Sequence, residues 1–160
     1  MFDTSSLPDL DALTGIDDAE LKRAMAEFGR VSAAADAGRL ATIAELARRR
    51  GVDDPDDERQ NWPVDPTDAA AAEVAAVLNL SHRRAVSQLN LGVTLHRRLP
   101  KVSALFAAGV VTGEMASRIV WRTMLVGDDT LAQVDAYIAA AVRDWGRLST
   151  EKMIKAVDQC

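Results

Sequence analysis

The sequence predicts an all-α fold of about six to eight helices, and three observations carry that expectation. The chain is rich in Ala, Leu and Val and poor in proline, with only 5 Pro among 160 residues, a composition that favours helix over strand. Apolar residues recur at steps of three and four through most of the chain, and no stretch alternates at period two. Helix-start and helix-stop residues punctuate that pattern at regular intervals.

Residues 1–16 read as a flexible lead-in, with Ser5, Ser6, Pro8 and Gly15 set among a few apolar residues. A first helix is expected over 17–50. Asp17 stands three residues before Glu20 as in a capping box, and Ile16 and Leu21 occupy the two positions of a hydrophobic staple. Leu21, Met25, Phe28, Leu40, Ile43, Leu46 and Ala47 follow at helical spacing. Gly29 and Gly38 interrupt the pattern, so one long helix and two consecutive helices both fit. A core helix and a dimerisation arm are both open readings of this length, although the spacing drifts from a strict heptad.

Residues 51–64 form an acidic linker, containing the run DDPDDE at Asp53–Glu58, two prolines and no apolar period. The run reads as a solvated loop, because it lacks the spacing and glycine of a calcium loop. Trp62 is expected to anchor the linker on the helical body.

The remainder, 65–160, reads as the helical domain proper. Asp65 with Pro66 at the first helical position, or Thr67 one step later, starts a helix whose Val74, Val77 and Leu78 point to the core. Asn79 tolerates the left-handed backbone that ends a helix. Leu80 fills the turn and Ser81 caps the next helix, from His82 to about Leu99. Its apolar side contains Ala85, Val86, Leu89, Val93 and Leu99, and a polar stripe runs through Arg83, Ser87, Asn90, Thr94, Arg97 and Lys101, flanked by Arg84 and Arg98. Gly92 in mid-helix marks a place where another backbone comes close. Pro100 opens a helix with Val102, Leu105 and Phe106 buried and Gly109 as its stop. Thr112 opens another with Met115, Ile119, Val120, Met124 and Leu125, which Gly127 and Asp128 break. The next spans Thr130–Trp145, with Leu131, Val134, Ile138, Val142 and Trp145 inward. Ser149 caps a last one holding Met153, Ile154 and Val157.

Two helices separated by a short turn at 67–99, the second starting with His82, Arg83 and Arg84, have the layout of a helix-turn-helix, whose second helix often enters the DNA major groove. The net charge of −5 argues the other way, since phosphate repels an acidic surface. The charge is unevenly spread, however. From Val74 to Gly113 there is no Asp or Glu, while Arg83, Arg84, Arg97, Arg98 and Lys101 all fall in that window. Double-stranded DNA is therefore the expected partner, contacted by His82, Arg83, Arg84, Ser87, Gln88, Arg97, Arg98 and Lys101. In the alternative, Arg83 and Arg84 bond the acids of the linker, which then masks the basic face, and the domain is purely structural or dimerising.

Catalysis, cofactors and metal binding are not expected. His82 and His96 lie fourteen residues apart on one helix, about 21 Å at the usual rise, and cannot share a metal within one chain. Cysteine-pair, HExxH, phosphate-loop and serine-elbow motifs are lacking, and Cys160 stands alone. No small-molecule substrate is indicated. The absence of a 20-residue apolar run or a signal-like N-terminus predicts a cytoplasmic protein without a membrane span.

The runs LPKVSALFAAGVVTGEMASRIVWRTMLVGDD and VDAYIAAAVRDWGRLSTEKMIKAVD, together with EVAAVLNLS and HRRLP, resemble the mycobacterial 13E12 repeat proteins of the actinobacterial family classed as domain of unknown function 222. The likeness extends over nearly the whole chain and rests on the order and spacing of many short segments. It implies the helical N-terminal region of proteins that often continue into an HNH-type nuclease domain. The clustered histidines and asparagine of such a centre are missing here, so the resemblance transfers no catalytic residue. An end just after a helix suggests a fragment or a shortened gene product.

Overall fold

The computed structural model describes residues 9–52 and 65–145. The acidic run with Trp62, the helix expected after Ser149 and the side chain of Trp145 lie outside the described residues. Among those described, the chain is all-α. A short 3-10 helix, Leu10–Gly15, precedes α1 (Asp18–Arg49), α2 (Pro66–Leu78), α3 (His82–Arg98), α4 (Pro100–Ala107), α5 (Gly113–Thr123) and α6 (Asp128–Trp145).

α1 is one uninterrupted helix of 32 residues, so Gly29 and Gly38 do not divide it. Its cap is the expected one, the Asp17 carboxylate accepting from the Glu20 N–H at 2.8 Å. Burial is uneven along it. Ala33, Ala34, Ala37, Leu40, Ile43, Ala44 and Ala47 are buried, and the helix packs on α3 and α4 and more lightly on α2 and α5. Before Ala33 only Ala24 is buried, and Met25 is exposed. The alanines let neighbouring backbones approach closely. A Cβ placed on Gly92 of α3 would lie 2.7 Å from the Leu40 carbonyl oxygen, which is the close approach that a mid-helix glycine implies. Nearer the start of α1, Gly109 in the α4–α5 turn has φ +71°, and its Cβ would meet the Arg30 carbonyl oxygen at 2.7 Å.

α2 begins with Asp65 accepting from the Thr67 N–H at 2.8 Å, with Pro66 first in the helix, and ends at Asn79 in the left-handed region. Three residues later α3 starts, its cap being Ser81, which accepts from the Arg84 N–H. Ala85, Leu89, Gly92 and Leu95 form the buried stripe of α3. They pack against α1 and α2 and join Leu99, Val102, Phe106, Val111, Ile119, Leu131 and Ile138 in the core.

Several apolar residues sit differently from the sequence expectation. Val77 is 82% exposed, because it lies roughly 70° round the helix from the centre of the arc set by Ala70, Ala71 and Val74. Leu95 is buried in place of Val86 and Val93, which are half-buried, as is Leu105. α5 ends at Thr123, so Met124 and Leu125 leave the helix and stand exposed, Leu125 almost completely.

A candidate nucleic-acid interface on helix α3

Opposite its buried stripe, α3 presents Arg83, Ser87, Asn90, Thr94 and Arg97 along one wall of an open groove of about 1180 Å³. Val86 and Val93 lie between the two stripes and line the groove as well. The facing wall comes from α5, through Ser117, Val120 and Trp121, from Met124 just after it, and from the start of α6, through Asp128, Leu131, Ala132 and Asp135. Pro100 and Lys101 close one end. Trp121 stands on the rim, 74% exposed.

The eight residues expected at a DNA contact divide by environment. His82, Arg83, Arg84 and Ser87 are exposed on the first turns of α3. His82 Nε2 is 3.1 Å from Asp68 Oδ1 on α2, joining the two helix starts. Among the described residues, Arg83 and Arg84 take no ion-pair partner. Gln88 is half-buried, and its amide oxygen accepts from Arg39 Nη1 at 2.8 Å, while Arg39 Nη2 donates to Asp36 on the same helix α1. Arg98 is a strut: Nε donates to Asp128 Oδ1 at 2.8 Å and Nη2 to the Val126 carbonyl at 2.7 Å, tying the end of α3 to the α5–α6 turn. Arg97 and Lys101 are exposed along the groove.

The start of α4 depends on a residue that sequence reasoning passed over. Leu99, the residue before Pro100, makes no side-chain cap. The Asp135 carboxylate on α6 takes that place, accepting from the Lys101 N–H and the Val102 N–H at 2.9 Å each. Asp135 is only 2% exposed, and its charge is favourably placed at the positive end of a helix. Two signals pointed to it. One is a proline-started helix without a local cap, and the other is an acid four residues after Leu131 on the apolar stripe of α6. Within the described residues every buried side-chain polar atom has a hydrogen-bond partner.

Ion pairs fix α1 from outside the core. Arg50 forks onto Glu73 of α2 at 2.7 and 2.8 Å, and this hydrogen bonding lowers the Glu73 pKa from its ordinary value. Hydrogen bonds from Arg48 and Arg49 hold Glu45 down to about 2. Among the described residues no group of three or more His, Cys, Asp or Glu is placed to hold a metal ion. No described helix is long and apolar enough to cross a membrane.

Residues 27–160 match the family described as Domain of unknown function (DUF222). The chain is 46% identical, over 159 residues and 99% of its length, to an uncharacterized protein in the est 3′ region of Mycobacterium tuberculosis. It is also 46% identical to the uncharacterized proteins Rv3776 and Rv2100 of the same organism. The chain spans 44%, 30% and 28% of those three relatives respectively. No solved structure matches it. With a family model covering most of its residues, the chain belongs to the DUF222 family.

Proposed function

We propose that this chain is a DNA-docking helical module, with α2 and α3 acting as a helix-turn-helix whose second helix meets double-stranded DNA. The observation that carries this reading is the start of α3. Arg83 and Arg84 are exposed without an ion-pair partner among the described residues. They stand on a helix held rigidly through its opposite face, within forty residues that contain no acid.

Phosphate contacts then fall to His82, Arg83, Arg84, Arg97 and Lys101, and base contacts to Arg83, Arg84 and Ser87. Gln88 and Arg98 act mainly by holding α3 in place, through their bonds to Arg39 and Asp128. With about four arginine and lysine contacts, the logarithm of affinity falls with the logarithm of salt at a slope of roughly −3 to −4. Anisotropy titration of a labelled duplex library over a salt series tests this. A flat salt response, or no binding at low ionic strength, overturns it.

The 13E12 likeness extends the proposal: the parent protein joins this module to an HNH-type nuclease domain. The greater length of the relatives supports it, since the chain covers only 28–44% of them. Metal-dependent cleavage of DNA by the full-length gene product, absent from this chain alone, is the corresponding test.

A second reading, self-association, is favoured by the first half of α1, which is largely uncovered and carries Met25 at 65% exposed. Molar mass in solution decides it. A dimer that Met25→Glu dissociates supports pairing through this segment, and a monomer at all concentrations refutes it.

A further inference from the structure

We infer that the groove between α3 and α5 binds single-stranded nucleic acid, with a base stacked on Trp121 and the backbone held by Arg83 and Lys101. This site stands whether or not the start of α3 docks on a duplex.

Three properties of the groove point to that occupant. The first is charge. Its acids are already engaged, Asp128 by Arg98 and both oxygens of Asp135 by the α4 backbone. Arg83 and Lys101 take no ion pair among the described residues, so an anionic ligand is complementary. The second is an aromatic platform. The chain has only three tryptophans, and Trp121 is placed off the apolar stripe of its own helix, which runs through Met115, Ala116, Ile119, Val120 and Thr123. A tryptophan 74% exposed at the rim of a cationic groove is the arrangement by which single strands are bound through stacking and phosphate contact together. The third is the polar lining. Ser87, Asn90 and Ser117 lie in the groove beside Val86 and Val120, and hydroxyl and amide groups can meet both donors and acceptors on base edges. An acidic peptide would use the charge but neither the aromatic face nor these mixed groups.

At about 1180 Å³ the groove is larger than the usual small-molecule site. Arg84, although adjacent to Arg83, does not line it, so the strand and duplex sites can be separated by substitution.

The test uses the whole chain with a short fluorescein-labelled oligodeoxythymidylate, a labelled duplex and labelled poly-glutamate, read by anisotropy. Trp121→Ala, at an exposed position, leaves the helical circular dichroism and the thermal midpoint unchanged. It should weaken oligodeoxythymidylate binding about tenfold or more, with Trp121→Phe recovering part of the loss. Lys101→Glu should also weaken it, and duplex affinity should not follow Trp121. No binding of the single strand, equal binding by wild type and Trp121→Ala, or tighter binding of poly-glutamate than of the oligonucleotide overturns the inference. Failure of the duplex reading appears separately, as duplex affinity that does not respond to Arg84→Ala.

Discussion

Gly92 on α3 sits so close to Leu40 on α1 that a Cβ there would approach the Leu40 carbonyl oxygen to 2.7 Å. The neighbour is backbone inside a 32-residue helix, and it cannot swing aside as a side chain would. Gly92→Ala therefore has opposing effects. Alanine gains up to about 1 kcal/mol in helix propensity, and forcing α1 and α3 apart costs about 1–3 kcal/mol in a packed core. The steric cost is expected to win, giving a lower urea midpoint than wild type. A midpoint equal to or above wild type would show that the helices separate without loss.

Asp135→Ala removes the acceptor for two backbone N–H groups at the start of α4, one of them buried. A loss of about 2–4 kcal/mol is expected in chemical denaturation. Asp135→Asn should fall between Ala and wild type, because its amide oxygen still accepts while its charge is gone. Equal stability of all three proteins would mean that water replaces the carboxylate.

Acid should weaken the clasp between α1 and α2. The folded pKa of Glu73 lies below 4.5 because of its bonds to Arg50, so the pair contributes in full above pH 4.5 and fades as pH falls through the folded value. Glu45 follows the same sign over a window from 4.5 down to about 2. Urea midpoints of wild type and Glu73→Gln, measured from pH 7 to pH 3, should differ by a constant amount above pH 5 and converge on acidification. Both groups are exposed, so the gap is small. A gap that widens toward acid contradicts the assignment.

Arg84 and Arg98, fourteen positions apart on α3, should behave oppositely. Arg84→Ala is expected to weaken duplex binding and make the log–log salt slope shallower by about 0.9, with no change in thermal midpoint. Arg98→Ala loses its bonds to Asp128 and Val126 and should lower the midpoint while leaving the slope near its wild-type value. Calorimetry paired with anisotropy separates the two. Identical behaviour of the two variants would remove the distinction between contact and strut.

Local signals were legible because they act over three or four residues. The caps at Asp17, Asp65 and Ser81, the left-handed end at Asn79 and the close packing at Gly92 all follow from residue types and short spacings. So does the all-α class, since helix propensity and period are properties of neighbouring residues. The unbroken course of α1 was not legible. Gly29 and Gly38 carry no penalty large enough to stop a helix whose other face is buried, and burial is a tertiary quantity.

The candidate site divides in the same way. The sequence by itself determined which residues share a face of α3, because 3.6 residues per turn places Arg83, Ser87, Asn90, Thr94 and Arg97 in one stripe. Only the tertiary structure decided what that stripe faces: a groove walled by α5 and α6, with Trp121 at its rim. It also decided which polar groups are engaged, Gln88 by Arg39 forty-nine residues away and Asp135 by the start of α4. Partners so distant along the chain meet only when the helices pack, and periodicity along one helix carries no record of them.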